Sequence, residues 1–224
     1  MTHTTIKQIL DSLNTLQEQL MSLPDDMLLS IDPRDNDSLD KGVNFIKEFN
    51  RNMMQFTQSA ARIAEQVKTH FGINPEEDEL EQGNDSRSSR ERITKELDKT
   101  QAYNLQDDFT YKRPYGFVLE DVAVKGIKTW KSMYLQILSA MKTINPILYS
   151  SLTKEEKFIS RRGNPLFSET GKELRVAEKM NDNFYAEVNL SANMIRRNMS
   201  EILTHFGVDP LVMKVYMRED RDAE

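Results

Sequence analysis

Residues 39–71 read LDKGVNFIKEFNRNMMQFTQSAARIAEQVKTHF, and this stretch decides the fold of the first third of the chain. Its mainly apolar or small side chains recur in alternating steps of four and three residues, the a/d spacing of a coiled coil or helical bundle. The stripe consists of Leu39, Val43, Ile46, Asn50, Met53, Thr57, Ala60, Ala64, Val67 and Phe71. A helix of this length spans roughly 50 Å and needs another helix to bury its stripe. The sequence therefore predicts assembly.

A shorter stripe with the same spacing precedes the long helix. It consists of Ile6, Leu10, Leu13, Gln17 and Leu20. We predict that Pro24 ends this first helix, that residues 27–31 form a buried turn, and that Asp37 or Ser38 caps the second helix. Gly72 is predicted to end the second helix. Since the first helix would cover only about half of the second, we expect the uncovered half to be a docking surface.

An apolar row beside the stripe completes the predicted partner-binding surface. The candidate residues are Phe45, Phe49, Asn50, Met53, Phe56 and Ile63. An asparagine in a helical seam sets register or partner choice at some cost in stability, so we expect Asn50 to select the partner. The alternative is an intramolecular hairpin in which the first helix covers the second.

Two further zones follow the helical arm, which occupies residues 1–73. Residues 74–101 hold nine acidic and five basic side chains with few large apolar ones, a composition typical of a charged linker. Residues 102–218 are predicted to form an α+β domain. It begins with one or two strands in residues 115–124, followed by an amphipathic helix over residues 129–148.

The C-terminal part of this domain is predicted to end in a compact cassette. Residues 150–183 are charged and irregular, with one short helix. We then expect a strand over residues 184–190, a helix over 192–206 capped by Ser191, and a second strand over 211–217, in a βαβ-like arrangement. Residues 219–224 read as a solvated tail. The fold class predicted for the whole chain is thus α+β, a helical arm plus a small C-terminal domain.

Composition excludes several classes of function. The chain has 224 residues, a net charge of −6 and no cysteine, so disulfides, thiolate metal sites and cysteine nucleophiles are excluded. No apolar run has the length of a membrane span, and we expect a cytoplasmic protein without membrane contact. Metalloprotease, hydrolase and phosphate-loop motifs are absent. We therefore expect no enzyme, no cofactor and no metal site.

One enzymatic alternative remains open, a metal-dependent nuclease subunit. Glu120, Asp121 and Lys125 lie in strand-like sequence, and Glu187 lies in another predicted strand. Neighbouring residues of a strand point to opposite faces, so only one of the two adjacent carboxylates can share a site with the lysine.

Basic residues concentrate in the C-terminal domain and suggest nucleic-acid contact. Residues 102–218 carry 17 basic and 13 acidic side chains, in contrast to the acidic remainder. The candidate nucleic-acid-binding residues are Lys157, Arg161, Arg162, Lys172, Arg175, Arg196 and Arg197. Interleaved aromatic residues are suited to stacking on bases. The alternative is a solvated surface whose cations pair with nearby glutamates.

Three segments resemble a known family. They are residues 184–193 (FYAEVNLSAN), 158–161 (FISR) and 124–130 (VKGIKTW). Their order is similar to an uncharacterised α+β domain that recurs at the C-terminus of bacterial restriction-type and defence-associated proteins. The resemblance covers residues 114–217. It implies a bacterial protein that works beside a nuclease or helicase, and it supplies no catalytic residues.

Together these features favour a non-enzymatic accessory protein of a prokaryotic anti-phage or restriction-type complex. We expect it to bind a protein partner, a larger subunit or a second copy, with DNA as a further ligand. The alternatives are the nuclease subunit above and a structural adaptor without nucleic-acid contact.

Overall fold

The computed structural model describes residues 3–32, 34–72, 80–82, 87–160 and 163–218. The chain divides into two compact units, Met1–Pro75 and Glu76–Glu224. The first contains two long helices, and the second contains short helices with small antiparallel sheets. The predicted α+β class is therefore confirmed. Among the described helices, none is both long enough and apolar enough to span a bilayer.

Six helices and eight strands lie in the described residues. The helices are α1 His3–Ser30, α2 Asn36–Phe71, α3 Arg87–Leu97, α4 Trp130–Ile144, α5 Pro146–Ser151 and α6 Ala192–His205. The strands are β1 Glu81–Gln82, β2 Ala102–Tyr103, β3 Pro114–Leu119, β4 Val122–Lys125, β5 Phe167–Ser168, β6 Ala177–Asn181, β7 Phe184–Glu187 and β8 Lys214–Met217. Three 3₁₀ turns are also present, at Leu152–Lys154, Glu156–Phe158 and Pro210–Val212.

Helix α1 does not end at Pro24, as predicted, but continues through it to Ser30. Proline removes one backbone hydrogen bond inside a helix, yet the following Met27-Leu28-Leu29 run has high helix propensity. The predicted buried turn at residues 27–31 is also wrong. Leu28 and Leu29 are exposed, because this segment is helical and turns these two side chains outward.

The first unit is an antiparallel hairpin in which α1, with 28 residues, runs along most of α2, which has 36. Near the start of α1, Ile6 and Leu10 pack with Ala64 and Val67, close to the end of α2. At the opposite end, Ile31 lies so close to Gly42 that a side chain on the glycine would collide with it. The prediction that half of α2 is left uncovered is therefore wrong, because it depended on α1 ending at Pro24.

The ends of α2 follow capping rules, with one correction. Asp35, not Asp37 or Ser38, is the N-cap, and its carboxylate accepts from the backbone N–H of Asp37 at 3.0 Å. Gly72 ends the helix with φ 62°, a left-handed conformation that suits glycine. Gly207, which follows Phe206 at the end of α6 as Gly72 follows Phe71, has φ 74°, so both helices are followed by a left-handed glycine.

The second unit contains two antiparallel sheets. One has the strand order β1-β4-β3-β8-β2 and the other the order β5-β7-β6. The predicted strands in residues 115–124 are confirmed as β3 and β4. The predicted βαβ cassette is wrong, because β7 and β8, which flank α6, belong to different sheets. Residues 150–183 are also more ordered than predicted, since they contain β5 and β6.

A single hydrophobic core holds most of this unit together. Helix α4 contributes the six inward side chains that its periodicity predicts, Trp130, Met133, Tyr134, Ile137, Leu138 and Met141. The indole of Trp130 stacks on Phe109 with ring centroids 4.8 Å apart. Such aromatic pairs add to the stabilisation from buried area alone.

The predicted linker, residues 74–101, is wrong for residues 87–97, which form α3. Ile93 and Leu97 of α3 are buried against the larger sheet. Gly116 of β3 allows this approach, because a Cβ there would lie 3.0 Å from the Leu97 side chain and 2.5 Å from the Val124 carbonyl oxygen. Arg92 and Lys125 both pair with Glu81 and Glu96 beside this contact. The charged composition of the segment thus reflects an ionic cluster on a folded surface.

Candidate interaction surfaces

Each helix of the hairpin carries a row of apolar side chains that are exposed or partly exposed. On α2 the row consists of Phe45, Phe49, Phe56 and Ile63, spaced by four, seven and seven residues, so that these positions fall within about 40° of one another. Phe45 and Phe49 stack with ring centroids 6.0 Å apart. On α1 the row consists of Ile9 and Leu16, seven residues apart. Ile9, Leu16, Phe45 and Ile63 are 47–53% exposed.

Both rows lie on the same side of the hairpin. Successive residues of a helix are rotated by about 100°, so the angle between each row and the buried side of its own helix follows from the residue numbers. On α2 the buried side is marked by Met53 and Ala60, and on α1 by Ile6 and Leu10. In both helices the row is rotated from the buried side by roughly 60–90°, in the same sense. In an antiparallel pair, rotations of the same sense seen from each helix's own N-terminus bring both rows to one side. We call these six residues, Ile9, Leu16, Phe45, Phe49, Phe56 and Ile63, the apolar face.

The core between the two helices is small. Among the described residues of this unit, the buried hydrophobic side chains are Ile6, Leu10, Met53 and Ala60. A pair of helices with so few buried apolar groups stands near the lower limit of what folds alone. The hairpin therefore gains stability from whatever covers its apolar face.

The predicted partner-binding residues divide between this face and other positions. Phe45, Phe49, Phe56 and Ile63 belong to the face, whereas Met53 is buried. Asn50 is exposed and does not lie in the seam. A strict seven-residue repeat drifts by about 20° per heptad around a straight helix, which carries this position off the seam. The role of Asn50 in choosing a partner stays a prediction.

A second surface lies where β3 begins and β4 and β8 end. The backbone N–H of Arg218 donates to the carbonyl of Arg113 at 2.8 Å, and the Arg218 guanidinium donates to the carbonyl of Ile127 at 3.3 Å. The Trp130 indole donates to the carbonyl of Lys112 at 2.8 Å. These bonds gather four half-buried cations, Lys112, Arg113, Lys128 and Arg218, which we call the sheet-end cluster.

Aromatic side chains accompany the sheet-end cluster. Tyr111 and Tyr115 are exposed, and the ammonium of Lys112 lies 4.2 Å from the ring centroid of Tyr103. Tyr111 has φ 57°, a conformation that bulky residues adopt rarely and only when their surroundings enforce it. Cations and exposed aromatic rings at one sheet end are suited to a ligand that is negatively charged and carries bases able to stack.

Helix α6 fixes the loop that leads into this cluster. The side-chain carbonyl of Asn193 accepts from the Phe109 N–H at 3.0 Å, and its amide donates to the Asp108 carboxylate and the Thr110 hydroxyl, each at 2.8 Å. Hydrogen bonds from Thr110 and Asn193 lower the pKa of Asp108. The hydroxyl of Ser191 caps α6, as predicted. The Asn-Leu-Ser-Ala-Asn string thus has a structural explanation.

The predicted nucleic-acid-binding residues lie at several places. Arg196 donates to the Leu105 carbonyl at 2.8 Å, so part of its guanidinium already holds the loop. Lys157 lies 5.3 Å from the Phe158 ring centroid, near the other end of α6, and Arg197 is exposed on α6. Lys172 and Arg175 are exposed between β5 and β6. Arg161 and Arg162 lie outside the described residues. Sequence reasoning missed Lys128 and Arg218, which strand pairing alone brings to the sheet end.

The carboxylates of the nuclease alternative are not gathered in one place. Glu120 and Asp121 lie in the turn between β3 and β4, so the strand-face argument does not apply to them. Asp121 pairs with Arg90. Glu187 belongs to the other sheet, where its buried carboxylate accepts from the backbone N–H groups of Arg175 at 2.6 Å and Asn189 at 2.8 Å.

The part of the chain that the structure describes contains no group of three or more acidic or histidine side chains arranged to hold a metal ion. His70 and His205 lie in the last turns of α2 and α6. The ring of His205 packs edge-on against Phe158, with centroids 5.7 Å apart, and its Nε2 lies 3.5 Å from the Ser151 hydroxyl. Burial, with a smaller contribution from Lys157, lowers the pKa of His205.

Comparisons of this chain with protein-family models, curated proteins and solved structures find no match. The assignment of function therefore depends on the two surfaces just described.

Proposed function

We propose that this chain is a non-enzymatic accessory protein of the cytoplasm that binds a partner protein through the apolar face of its hairpin. The observation that carries the proposal is the one-sidedness of that face. Six apolar side chains from two helices lie on one side, and four of them are about half exposed. Contiguous apolar patches of this kind mark protein interaction sites.

The small core of the hairpin supports the same proposal. With only Ile6, Leu10, Met53 and Ala60 buried among its described hydrophobic residues, the hairpin needs additional apolar contact to hold both helices firmly. The resemblance of residues 114–217 favours a prokaryotic defence complex as the setting.

The test is co-purification with the proteins encoded beside its gene, each expressed together with the tagged chain. The variant Phe45→Glu/Ile63→Glu places two charges on the apolar face and should abolish retention of the partner. Lys47→Glu is the matched control, because Lys47 is exposed on the opposite side of α2 and should leave retention unchanged. Equal retention by all three proteins would contradict the proposal.

A second candidate function, contact with nucleic acid, is favoured by the sheet-end cluster. Four half-buried cations lie at this sheet end beside exposed Tyr111 and Tyr115, although the whole chain is acidic. Cations that track a phosphate backbone, next to rings that stack on bases, are typical of single-strand binding.

This candidate is tested by fluorescence anisotropy with labelled single-stranded and duplex DNA at 50 and 200 mM salt. Binding should weaken as salt rises, and Lys112→Ala/Arg113→Ala should weaken it further than Lys142→Ala, which removes an exposed cation of α4. Arg161→Ala/Arg162→Ala tests two further residues predicted from the sequence in the same assay. Salt-independent retention, or none, would exclude this function.

A further inference from the structure

We propose that the occupant of the apolar face is a second copy of this chain, which packs its hairpin against the first to form a four-helix bundle. The inference rests on the function proposed above, because it uses the same face and names what binds there. Three features favour a second copy over an unrelated protein: the area of the face, its charge pattern along α2, and the closure that pairing achieves.

The area of the face matches what a stable dimer needs. Large apolar side chains expose on the order of 150–250 Å² when free, so four half-exposed and two partly buried ones offer roughly 400 Å² per hairpin. Dimer interfaces are about 60% apolar, which extends this to roughly 700 Å² once the polar rim is included. A standard interface buries about 800 Å² per partner.

The sequence of α2 is complementary to itself when two copies run antiparallel. A two-fold axis near residues 54–55 places Phe45 of one copy beside Ile63 of the other, and Glu48 beside Arg62. Among the described residues of one chain, these two charged residues make long contacts, Glu48 with Arg51 at 3.5 Å and Arg62 with the Ser59 hydroxyl at 3.4 Å. Opposite charges thus meet on the rim of the apolar core, twice per dimer.

Pairing of identical faces also closes the assembly. A two-fold interface uses the same patch on both subunits, so the two apolar faces cover each other and no further copy is recruited. Four helices packed about 20° from antiparallel bury a core on all inward positions, which a two-helix hairpin cannot do. The small core of the single hairpin is then half of a complete one.

The first experiment measures the mass of the full-length protein by sedimentation or light scattering. The expected value is twice the 26.1 kDa of one chain. Phe45→Glu/Ile63→Glu should raise the dissociation constant at least about 100-fold, since it buries unpaired charges in the apolar face, where the two changed positions of the two copies oppose each other. Lys47→Glu should leave the mass unchanged. A monomer at all concentrations, or a dimer that ignores the face variant, overturns the inference.

The second experiment is a charge swap that needs no change in the apolar core. Arg62→Glu places a glutamate beside Glu48 of the other copy, and this happens twice per dimer. The repulsion between these like charges should weaken the dimer roughly tenfold at low salt. Adding Glu48→Arg should restore the affinity, because the exchanged pair again has opposite signs. The two positions are 14 residues apart, about 21 Å along one helix, so they cannot meet within a single chain. Absence of rescue contradicts the antiparallel geometry.

The outcomes separate this inference from the function on which it depends. If the chain is monomeric but Phe45→Glu/Ile63→Glu abolishes binding of a co-expressed neighbour, the inference fails and the proposed function stands. If the chain is monomeric and the face variants change no interaction, both fail.

Discussion

Two residues of α6, Asn193 and Arg196, hold the loop around Phe109 through their side chains, and Asn193 belongs to the Asn-Leu-Ser-Ala-Asn string. Asn193 makes three hydrogen bonds to the loop around Phe109, and Arg196 makes a fourth, to Leu105. Sequence alone identified the cap at Ser191, since capping is local. It did not identify the Asn193 contacts, because the partners lie more than 80 residues away and the amide can form such bonds in many folds.

Replacement of Asn193 by alanine should destabilise the second unit by about 1–3 kcal/mol, because the buried segment at Phe109 would lose a backbone partner. Urea denaturation followed by tryptophan fluorescence measures the effect directly. Glu201→Ala, an exposed change on the same helix, should stay within about 0.5 kcal/mol of the unmodified protein. Similar losses for both variants would show that Asn193 does not hold the loop.

The lowered pKa of His205 predicts a pH dependence of stability. The folded chain binds fewer protons at this site than the unfolded chain, whose histidine has a pKa of about 6.5. The stabilisation is therefore complete above about pH 6.5 and is lost as the pH falls through the lower, folded pKa. Denaturation curves from pH 8 to pH 5 should show a smaller loss for His205→Gln than for the unmodified protein. Parallel profiles would contradict the assignment.

At the scale of elements, the long periodic helices were predictable, as were the end of α2 at Gly72 and the start of α6 at Ser191, but the end of α1 and the N-cap of α2 were not. The stripe of α2 and the inward face of α4 follow from the helical spacing of their apolar residues. This pattern is reliable because many residues of each helix share it. The end of α1 differs from the prediction because the helix-forming residues after Pro24 outweigh the effect of a single proline. Helix α3 was missed because its charged side chains pair on the surface of the fold, which composition cannot distinguish from a linker.

Pro24→Ala should raise the free energy of unfolding of the hairpin by about 1–3 kcal/mol and increase its helicity. Alanine restores the hydrogen bond that proline removes and relieves its clash with the preceding turn. Circular dichroism at 222 nm during urea denaturation gives the measurement. Leu29→Ala is the control, since a side chain that is 87% exposed should contribute little. Unchanged helicity and unchanged stability in Pro24→Ala would contradict the cost assigned to a proline inside α1.

At the scale of the whole molecule, neither interaction surface was fully visible in the sequence. The α2 row of the apolar face could be predicted, because it lies on one helix. Its continuation onto Ile9 and Leu16 depends on the antiparallel pairing of α1, and the sheet-end cluster depends on the order of β3, β4 and β8. Both require tertiary neighbours that a single sequence does not reveal.

Two units with different cores should unfold separately, and the single tryptophan allows the test. Trp130 lies in the core of the second unit, 1% exposed, so its fluorescence reports that unit alone. Circular dichroism reports the helices of both units. We expect the circular dichroism curve to begin at lower urea, and only this early phase to shift with protein concentration. Coincident curves at all concentrations would show one cooperative unit.

The small core of the hairpin has a consequence for how the cell regulates this protein. A helix pair that is firm only when covered opens often when uncovered, and proteases cleave the opened form. Unpaired copies would then be short-lived, while paired copies persist. The steady-state amount of the protein would then depend more on the amount of partner available to cover the apolar face than on the rate of synthesis. The hairpin would thus both attach the protein to its partner and cause copies without a partner to be degraded.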